Sequence, residues 1–441
     1  MKLAKNYCKK IFDGTHDTPK PISEGVPLVT SKHIVGRKLD LSTAYNISQD
    51  DYLSIQKRSS VRQWDILFSM IGSVGEVYLE QNENIPYAIK NIGVFSCYDE
   101  YQAKWLYYYL QSPSAKTHIK RYLNGAVQKF LSLGALRDFP VLEYDNSKNQ
   151  IIDVLSDLDA KIELNNKINR ELEAMAKTLY DYWFVQFDFP NEQGKPYKSS
   201  GGKMVYNEEL KREIPEGWEV EKISDCCGIV DCLHSKKSDY IFEDKKCYLL
   251  QLENIRDDGL IGLENKYYVS KEEYKKWTTR IEIKDHDLVI TNAGRVASLA
   301  QVSKDIIAGI GRNITAIRPV RINPTFLYYS FQGAEMKRQI KLNTDFGIFF
   351  NSLNVRGIKE LHIVRAPKEI EDNFEQISLS KRRQRELNIK QNQQLTDLRD
   401  WLLPMLMNGQ VTIRQAYGTA AKEAEEMLSM AAEPQAEYKK G

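Results

Sequence analysis

The sequence predicts an α+β chain in which two duplicated globular units are separated by two long antiparallel coiled-coil helices. Three observations predict it. Ile151 to Phe184 carries an unbroken heptad seam, Ile370 to Met407 carries a second that copies it, and residues upstream of the two helices match at an offset of about 220 positions.

In the first helix Leu155, Ile162, Asn169, Ala176 and Trp183 recur at every seventh residue, with Leu158, Asn165, Leu172 and Leu179 three residues on. Neither Gly nor Pro interrupts the run, and the spacing is that of a coiled-coil seam. About 34 residues make roughly 50 Å of helix, and a helix with one apolar stripe needs a partner. The second seam supplies it: Ile370, Phe374, Ile377, Lys381, Gln384, Asn388, Gln391, Leu395, Leu398 and Leu402. Glu163-Leu164-Asn165 matches Glu386-Leu387-Asn388, and Lys167, Asn169 and Leu172 match Lys390, Asn392 and Leu395. Asn at seam positions gives up stability and fixes register. The globular units flank the helices at opposite ends, which predicts an antiparallel pair.

The duplication extends into those units. Ile11, Asp13 and His16 match Ile229, Asp231 and His234, and Val29 to Ile34 resembles Leu250 to Ile255. Asp65 to Ser69 and Asp287 to Thr291 read as apolar strands, each followed by a turn with Gly72 or Gly294 and a second strand. Lys104 to Gln111 and Phe326 to Phe331 read as aromatic helices ahead of basic stretches. The resulting division is 1–147 and 220–367 for the globular units and 148–187 and 368–408 for the helices. Residues 188–219, rich in Pro, Gly, Ser and Lys, read as a linker or extended arm, and 409–441 as a mobile tail.

Composition excludes more than it names. Of 441 residues 42% are apolar and 28% charged, and the net charge of +2 leaves any anion-binding surface to local patches. No run of apolar residues is long enough to span a bilayer, and Met1 to Phe12 lacks the apolar core of a signal peptide, so a cytoplasmic protein is expected. The six Cys form no CxxC pair, and Cys226, Cys227 and Cys232 read as reduced thiols, not a metal site. No Walker loop or Gly-rich cofactor turn is present. Asn323-Pro324-Thr325-Phe326 reads as a strand-to-helix turn and Glu282-Ile283-Lys284 as an edge strand. No catalytic constellation is written in the chain.

What the units do share is polar and basic loops in matching places. The first offers His16, Lys32, His33, Arg37, Lys57, Arg58, Arg62, Ser73, Asn124, Gln128 and Lys129. The second offers His234, Lys236, Lys237, Asn254, Arg256, Asn292, Arg295, Arg312, Asn313, Asn343 and Thr344. Asn, Gln, Arg and Lys can read base edges, whereas Lys, Arg, Ser and Thr also hold phosphates without reading sequence. Asn292 and Arg295, flanking Gly294 in a tight turn, are expected to reach a base edge, and Lys236 and Lys237 a phosphate. The other class the sequence allows is a duplicated protein-interaction scaffold without sequence-specific DNA binding.

Leu164 to Glu219, with LYDYWFVQFDFP followed by GKPYKSSGGKMVYNEELKREIPEGWE, resembles the central conserved region of the specificity (S) subunits of type I restriction-modification enzymes. Ile389 to Val411 resembles the distal helix of that family, although the first copy lacks the Pro-x-Gly-Trp that Pro215 to Trp218 gives the second. The resemblance spans about residues 2 to 408. It implies two target recognition domains, each reading half of a split site in double-stranded DNA. It implies that the paired helices act as a spacer and dock two methyltransferase (modification) subunits, which recruit restriction/translocase subunits. It also implies a non-catalytic subunit without a cofactor of its own; methyl donor, ATP and Mg would belong to the partners, and no membrane is involved.

Overall fold

The computed structural model describes residues 1–123, 129–233, 240, 245–263, 265–347 and 351–410. The chain divides into two compact units, Met1–Glu163 with Asn392–Gly441, and Leu164–Gln391.

The first unit is built on strands β1 (Lys10–Asp13), β2 (Ile66–Ser69), β3 (Val77–Leu79) and β4 (Ile92–Ser96), in the antiparallel order β1-β4-β2-β3. Every β2 side chain is buried because the sheet is covered on both faces. Ile66 and Phe68 pack with Phe95 against Trp105 and Tyr109, while Leu67 and Val94 turn to Val29 and Ile34. This is the two-residue alternation of a strand used on both sides. The second face is closed by a small sheet in which Val26–Val29 pairs antiparallel with Asn46–Ile47 and parallel with Ala88–Ile89. Helix α1 (Gln49–Ser59) leaves this sheet with Ser48 as its cap. On the first face α2 (Glu100–Gln111) is capped by Asp99, and α3 (Pro113–Tyr122) starts on Ser112 with Pro113 in the first turn, where its missing N–H costs nothing. The edge pair Lys2–Leu3 and Pro140–Val141 closes the unit.

The second unit has strands β5 (Cys227–Asp231), β6 (Leu288–Thr291), β7 (Leu299–Gln301) and β8 (Ile314–Pro319), in the antiparallel order β5-β8-β6-β7. Leu288, Ile290 and Ile317 face the helices and Val289 and Ala316 face the small sheet. There Cys247–Leu250 pairs antiparallel with Tyr267–Val269 and parallel with Gly309–Ile310. Helix α5 (Lys271–Trp277) follows that sheet, and α6 (Pro324–Gln332) and α7 (Ala334–Leu342) follow β8. Among the described residues no helix is long and apolar enough to cross a membrane.

Residues 188–219 are folded, which corrects their reading as a linker or extended arm. Met204–Asn207 pairs with Arg212–Pro215, and the Asp188 carboxylate accepts from Ser199 N–H at 2.7 Å and from its hydroxyl at 2.6 Å. Phe189 lies between Tyr197, at 4.6 Å, and Trp218, at 5.1 Å. The aromatic residues scattered through a Gly- and Ser-rich stretch are what hold it down.

The long helices are α4 (Asn149–Tyr180) and α8 (Lys368–Met407). α4 is divided between the units after Glu163 and α8 before Asn392. In the first unit Ile152 and Leu155 pack with Leu402, Leu403 and Leu406, flanked by half-buried Leu158 and Leu398, and Asn392 Nδ2 donates to Ile162 O at 3.4 Å. In the second, Asn165 Nδ2 donates to Gln391 Oε1 and Asn388 Nδ2 to Asn169 Oδ1, both at 2.8 Å. In each unit rising numbers on α4 meet falling numbers on α8, so the pair runs antiparallel there. Leu172, Leu179, Ile162 and Leu395 are half-buried. The seam is corrected on α8: Ile377 is 37% exposed and Gln384 and Gln391 are exposed, while Phe374, Ser378, Arg382, Arg385 and Asn388 are buried. α8 rotates because Arg382 reaches Gln301 O at 2.7 Å and Arg385 reaches Asp258 O at 2.6 Å, which turns Ile377 out to solvent.

Each globular unit is fastened to its helices through a carboxylate on α4. Asp159 accepts from Tyr108 OH at 2.9 Å and from Arg399 Nη1 at 2.6 Å. Glu173 accepts from Tyr329 OH at 2.9 Å, from Tyr328 OH at 3.3 Å and from Arg385. Burial first, and the nearby carboxylates second, push the phenols of Tyr108 and Tyr329 above their ordinary range, so they remain donors. α6 is held by Glu375, whose carboxylate accepts from the N–H groups of Thr325 and Phe326 at 3.0 Å, while Asn323 Nδ2 donates to Asp372 at 2.8 Å. That arrangement accounts for the Asn-Pro-Thr-Phe sequence as a helix start.

Glu173→Ala leaves a buried guanidinium without its counter-ion and two phenols without their acceptor and is expected to lower stability by on the order of 3 kcal/mol, read by urea melting of the full chain. Lys5→Ala, which breaks a half-exposed pair with Asp138 at 2.7 Å, should stay within about 0.5 kcal/mol. Leu155→Ala is expected to cost about 2–5 kcal/mol by opening a cavity, whereas Ile377→Ala should melt within about 0.5 kcal/mol of the parent; equal losses would reject the rotated seam.

Candidate nucleic-acid interface

In both units the central strand of the small sheet runs into a short 3₁₀ turn, Ser31–His33 in the first and Leu252–Asn254 in the second. The last residue latches the turn. His33 Nδ1 accepts from Thr30 N–H at 2.8 Å, and Asn254 Oδ1 accepts from Gln251 N–H at 2.7 Å. Burial, and then the Lys32 charge, hold the His33 imidazole below its ordinary value, so it stays neutral and keeps an acceptor. Asn254 Nδ2 donates to Gly262 O at 2.9 Å and to Asn265 O at 2.8 Å. His33 and Asn254, expected at the DNA, are therefore buried latches, and their burial keeps the side chains from a base edge. The exposed middle of each turn carries Lys32 or Glu253.

Beside each turn lies the loop that enters the inner strand, Lys90-Asn91 before β4 and Arg312-Asn313 before β8. Asn91 and Asn313 both take left-handed backbone, with φ of 53° and 61°, a conformation Asn tolerates better than most residues. In the first unit His16 Nδ1 lies 2.7 Å from Asn91 Oδ1 and its Nε2 lies 3.1 Å from Asp13 Oδ2. The other Asp13 oxygen accepts from Arg58 Nη2 at 3.1 Å. Lys57 and Arg62 are exposed at and beyond the end of α1, Ser73 at the β2–β3 tip, and Lys129 beside it, where its carbonyl accepts from Gly72 N–H at 3.4 Å.

In the second unit the turn and the loop enclose a cleft of about 420 Å³, lined by Tyr240, Gln251, Leu252, Glu253, Tyr267, Arg312 and Asn313. Glu253 accepts from Tyr267 OH. That bond pushes the phenol up to about 12, so it is a donor at neutral pH. The Tyr240 and Tyr267 rings form one wall, 5.0 Å apart. Arg312 is exposed and has no hydrogen bond or ion pair among the described residues.

Other expected readers are engaged elsewhere. Asn292 is buried, its Nδ2 donating to Thr315 Oγ1 at 2.9 Å and to Leu353 O at 3.0 Å. Arg295 pairs with Asp257 at 2.6 Å and donates to Leu252 O at 2.9 Å and to Ile255 O, so it clamps the turn that carries Glu253. Arg256 pairs with Asp258 at 2.7 Å. Asn343 Nδ2 donates to Gln339 O at 2.9 Å and Thr344 Oγ1 to Ile340 O at 2.7 Å, closing α7. Arg37 lies against the helices, 3.4 Å from Asp159 and 3.2 Å from Asp400. Asn124, Gln128, Lys236, Lys237 and His234 lie outside the described residues. A search for phosphate partners passes over Glu253 and Tyr267 because neither is basic. The signal that finds Glu253 is the pairing of Val29–Ile34 with 250–255, which sets it opposite Lys32. Among the described residues no group of His, Cys, Asp and Glu could hold a metal ion.

Residues 25–174 match the family described as Type I restriction modification DNA specificity domain. The Type I restriction enzyme MjaIX specificity subunit of Methanocaldococcus jannaschii is 23% identical over 320 residues, covering 71% of this chain and 70% of the relative. The Type I restriction enzyme HindI specificity subunit of Haemophilus influenzae is 23% identical over 316 residues, covering 60% of this chain and 67% of the relative. A solved S subunit of a type I restriction-modification system from M. genitalium covers 92% of this chain and 95% of its own, at 15% identity and a TM-score of 0.48. The specificity-domain match runs from the first unit into α4, and two specificity subunits align with 60–71% of this chain, so the chain is similar to the type I restriction-modification specificity subunits.

Proposed function

We propose that this chain reads a bipartite, asymmetric DNA site for a type I restriction-modification complex, one half-site per globular unit. The observation that carries the reading is the latched turn. The same strand order presents the same turn twice, yet its exposed residue is Lys32 in one copy and Glu253 in the other. A duplicated scaffold with unlike tips reads unlike sequences, since base edges are told apart by donor and acceptor pattern. Catalysis, methyl donor, ATP and Mg belong to the partner subunits in this reading. α4 and α8 serve as the spacer between half-sites. Leu164, Ile168 and Met175 are exposed at positions four and seven apart along one face of α4, a stripe suited to a methyltransferase subunit, which in turn brings the restriction/translocase subunits.

The reading is tested by gel shift of the chain assembled with its methyltransferase partner, using the motif found by methylome sequencing of a host that carries the system. Binding to random and specific duplexes with equal affinity would leave only a protein-interaction scaffold. Removing a paired heptad from α4 and α8 shortens the rod by about 10 Å and is expected to shift the preferred spacer by about three base pairs or abolish binding; an unchanged spacer would exclude the helices as the ruler. Leu164→Asp with Met175→Asp, both at exposed positions, should leave melting unchanged and weaken assembly with the methyltransferase in size-exclusion chromatography. Full assembly by the double variant would remove this stripe from the docking surface.

A further inference from the structure

The cleft of the second unit is lined by a carboxylate, Glu253, and a guanidinium, Arg312, both at an exposed edge. Gly311 makes this possible: a Cβ there would fall 2.4 Å from Gln251 Nε2 and 2.5 Å from Leu250 O, so only glycine lets the Arg312 loop lie against the turn. Arg295 and Asn254 hold the turn from behind, which fixes the direction in which Glu253 leaves it. The first unit has Lys32 and Lys90 in the corresponding places, both cations.

A carboxylate facing DNA is repelled by phosphates, so it is tolerated where a base donor compensates. Tyr267 occupies one acceptor site of Glu253 and leaves others open, because a carboxylate has about four lone-pair directions. Two bases present an amino donor in the major groove. Adenine sets its N7 acceptor beside the amino group, which repels a carboxylate, whereas cytosine presents the N4 amino group alone. The partner of cytosine presents O6 and N7, the acceptors a guanidinium takes as a pair.

Resting on the reading of the chain as a DNA specificity subunit, we propose that this cleft reads one cytosine·guanine pair in the second half-site, Glu253 accepting from cytosine N4 and Arg312 donating to guanine O6 and N7. The two side chains act on one base pair, so each supports selection at the same position. A wrong base at this position leaves Glu253 facing an acceptor.

The test uses the complex of this chain with its methyltransferase subunits and a library randomised in the second half-site. Wild type is expected to require a C·G pair at one position. Glu253→Gln should lose that requirement and bind the C·G site about 5- to 100-fold more weakly, and Arg312→Ala should relax the same position by a similar factor. Both should keep the wild-type first half-site profile and the wild-type melting curve. The proposal is overturned by a second half-site of A·T pairs alone, by unchanged profiles in both variants, or by losses spread evenly over all sequences, which would make the contacts phosphate contacts. Each of those outcomes leaves the specificity-subunit reading standing; a wild-type complex without any sequence preference would remove that reading as well.

Discussion

The carboxylate that each unit receives from α4 is the constraint on which the rest depends. Asp159 binds Tyr108 and Arg399, and Glu173 binds Tyr328, Tyr329 and Arg385. In each case a globular-unit aromatic helix, the first long helix and the second long helix meet at one side chain. Burial makes the attachment directional, since an unpaired charge or phenol in such a place costs several times what an exposed pair contributes. The helices are further joined to each other by apolar contacts in both units and by amide pairs in the second. Apolar contacts tolerate sliding; Asn165 with Gln391 and Asn388 with Asn169 do not, because a shift of one turn breaks both bonds.

A rigid attachment matters for the proposed reading of bases. Selection at a base edge is worth only about 1–3 kcal/mol per contact, and a reader loses it if its backbone wanders. The Ser31–His33 and Leu252–Asn254 turns are secured from inside by His33 and Asn254, and the second also by Arg295. The side chains that secure the turn and those that leave it alternate along a few residues. This division explains how one scaffold can carry Lys32 in one copy and Glu253 in the other: the exposed position can change without disturbing the latch, and the latch can change from His to Asn because both offer an acceptor at the same place.

Much of this was legible in the sequence. The heptad period located α4 and α8, the apolar runs ahead of Gly72 and Gly294 located β2 and β6, and the offset between Val29–Ile34 and 250–255 paired the two turns. These are local patterns: a heptad seam buries one face of a helix, and a short apolar run suits a strand covered on both faces. The folding of 188–219 was not legible, because Gly, Ser and Lys dominate its composition while Phe189, Trp218 and Ile214 hold it.

What the sequence by itself determined is the kind of side chain at each place: a polar, hydrogen-bonding residue at His33, Asn254, Asn292, Arg295, Arg37 and Arg312. Only the tertiary structure decided which of them is still available. Arg295 meets carbonyls some forty residues away, Asn292 meets Leu353, and Arg37 meets Asp159 and Asp400. Arg312 is left exposed beside Glu253. The physical reason is that a donor's type is fixed by its own atoms, whereas its occupancy is fixed by whatever the fold brings within about 3 Å of them.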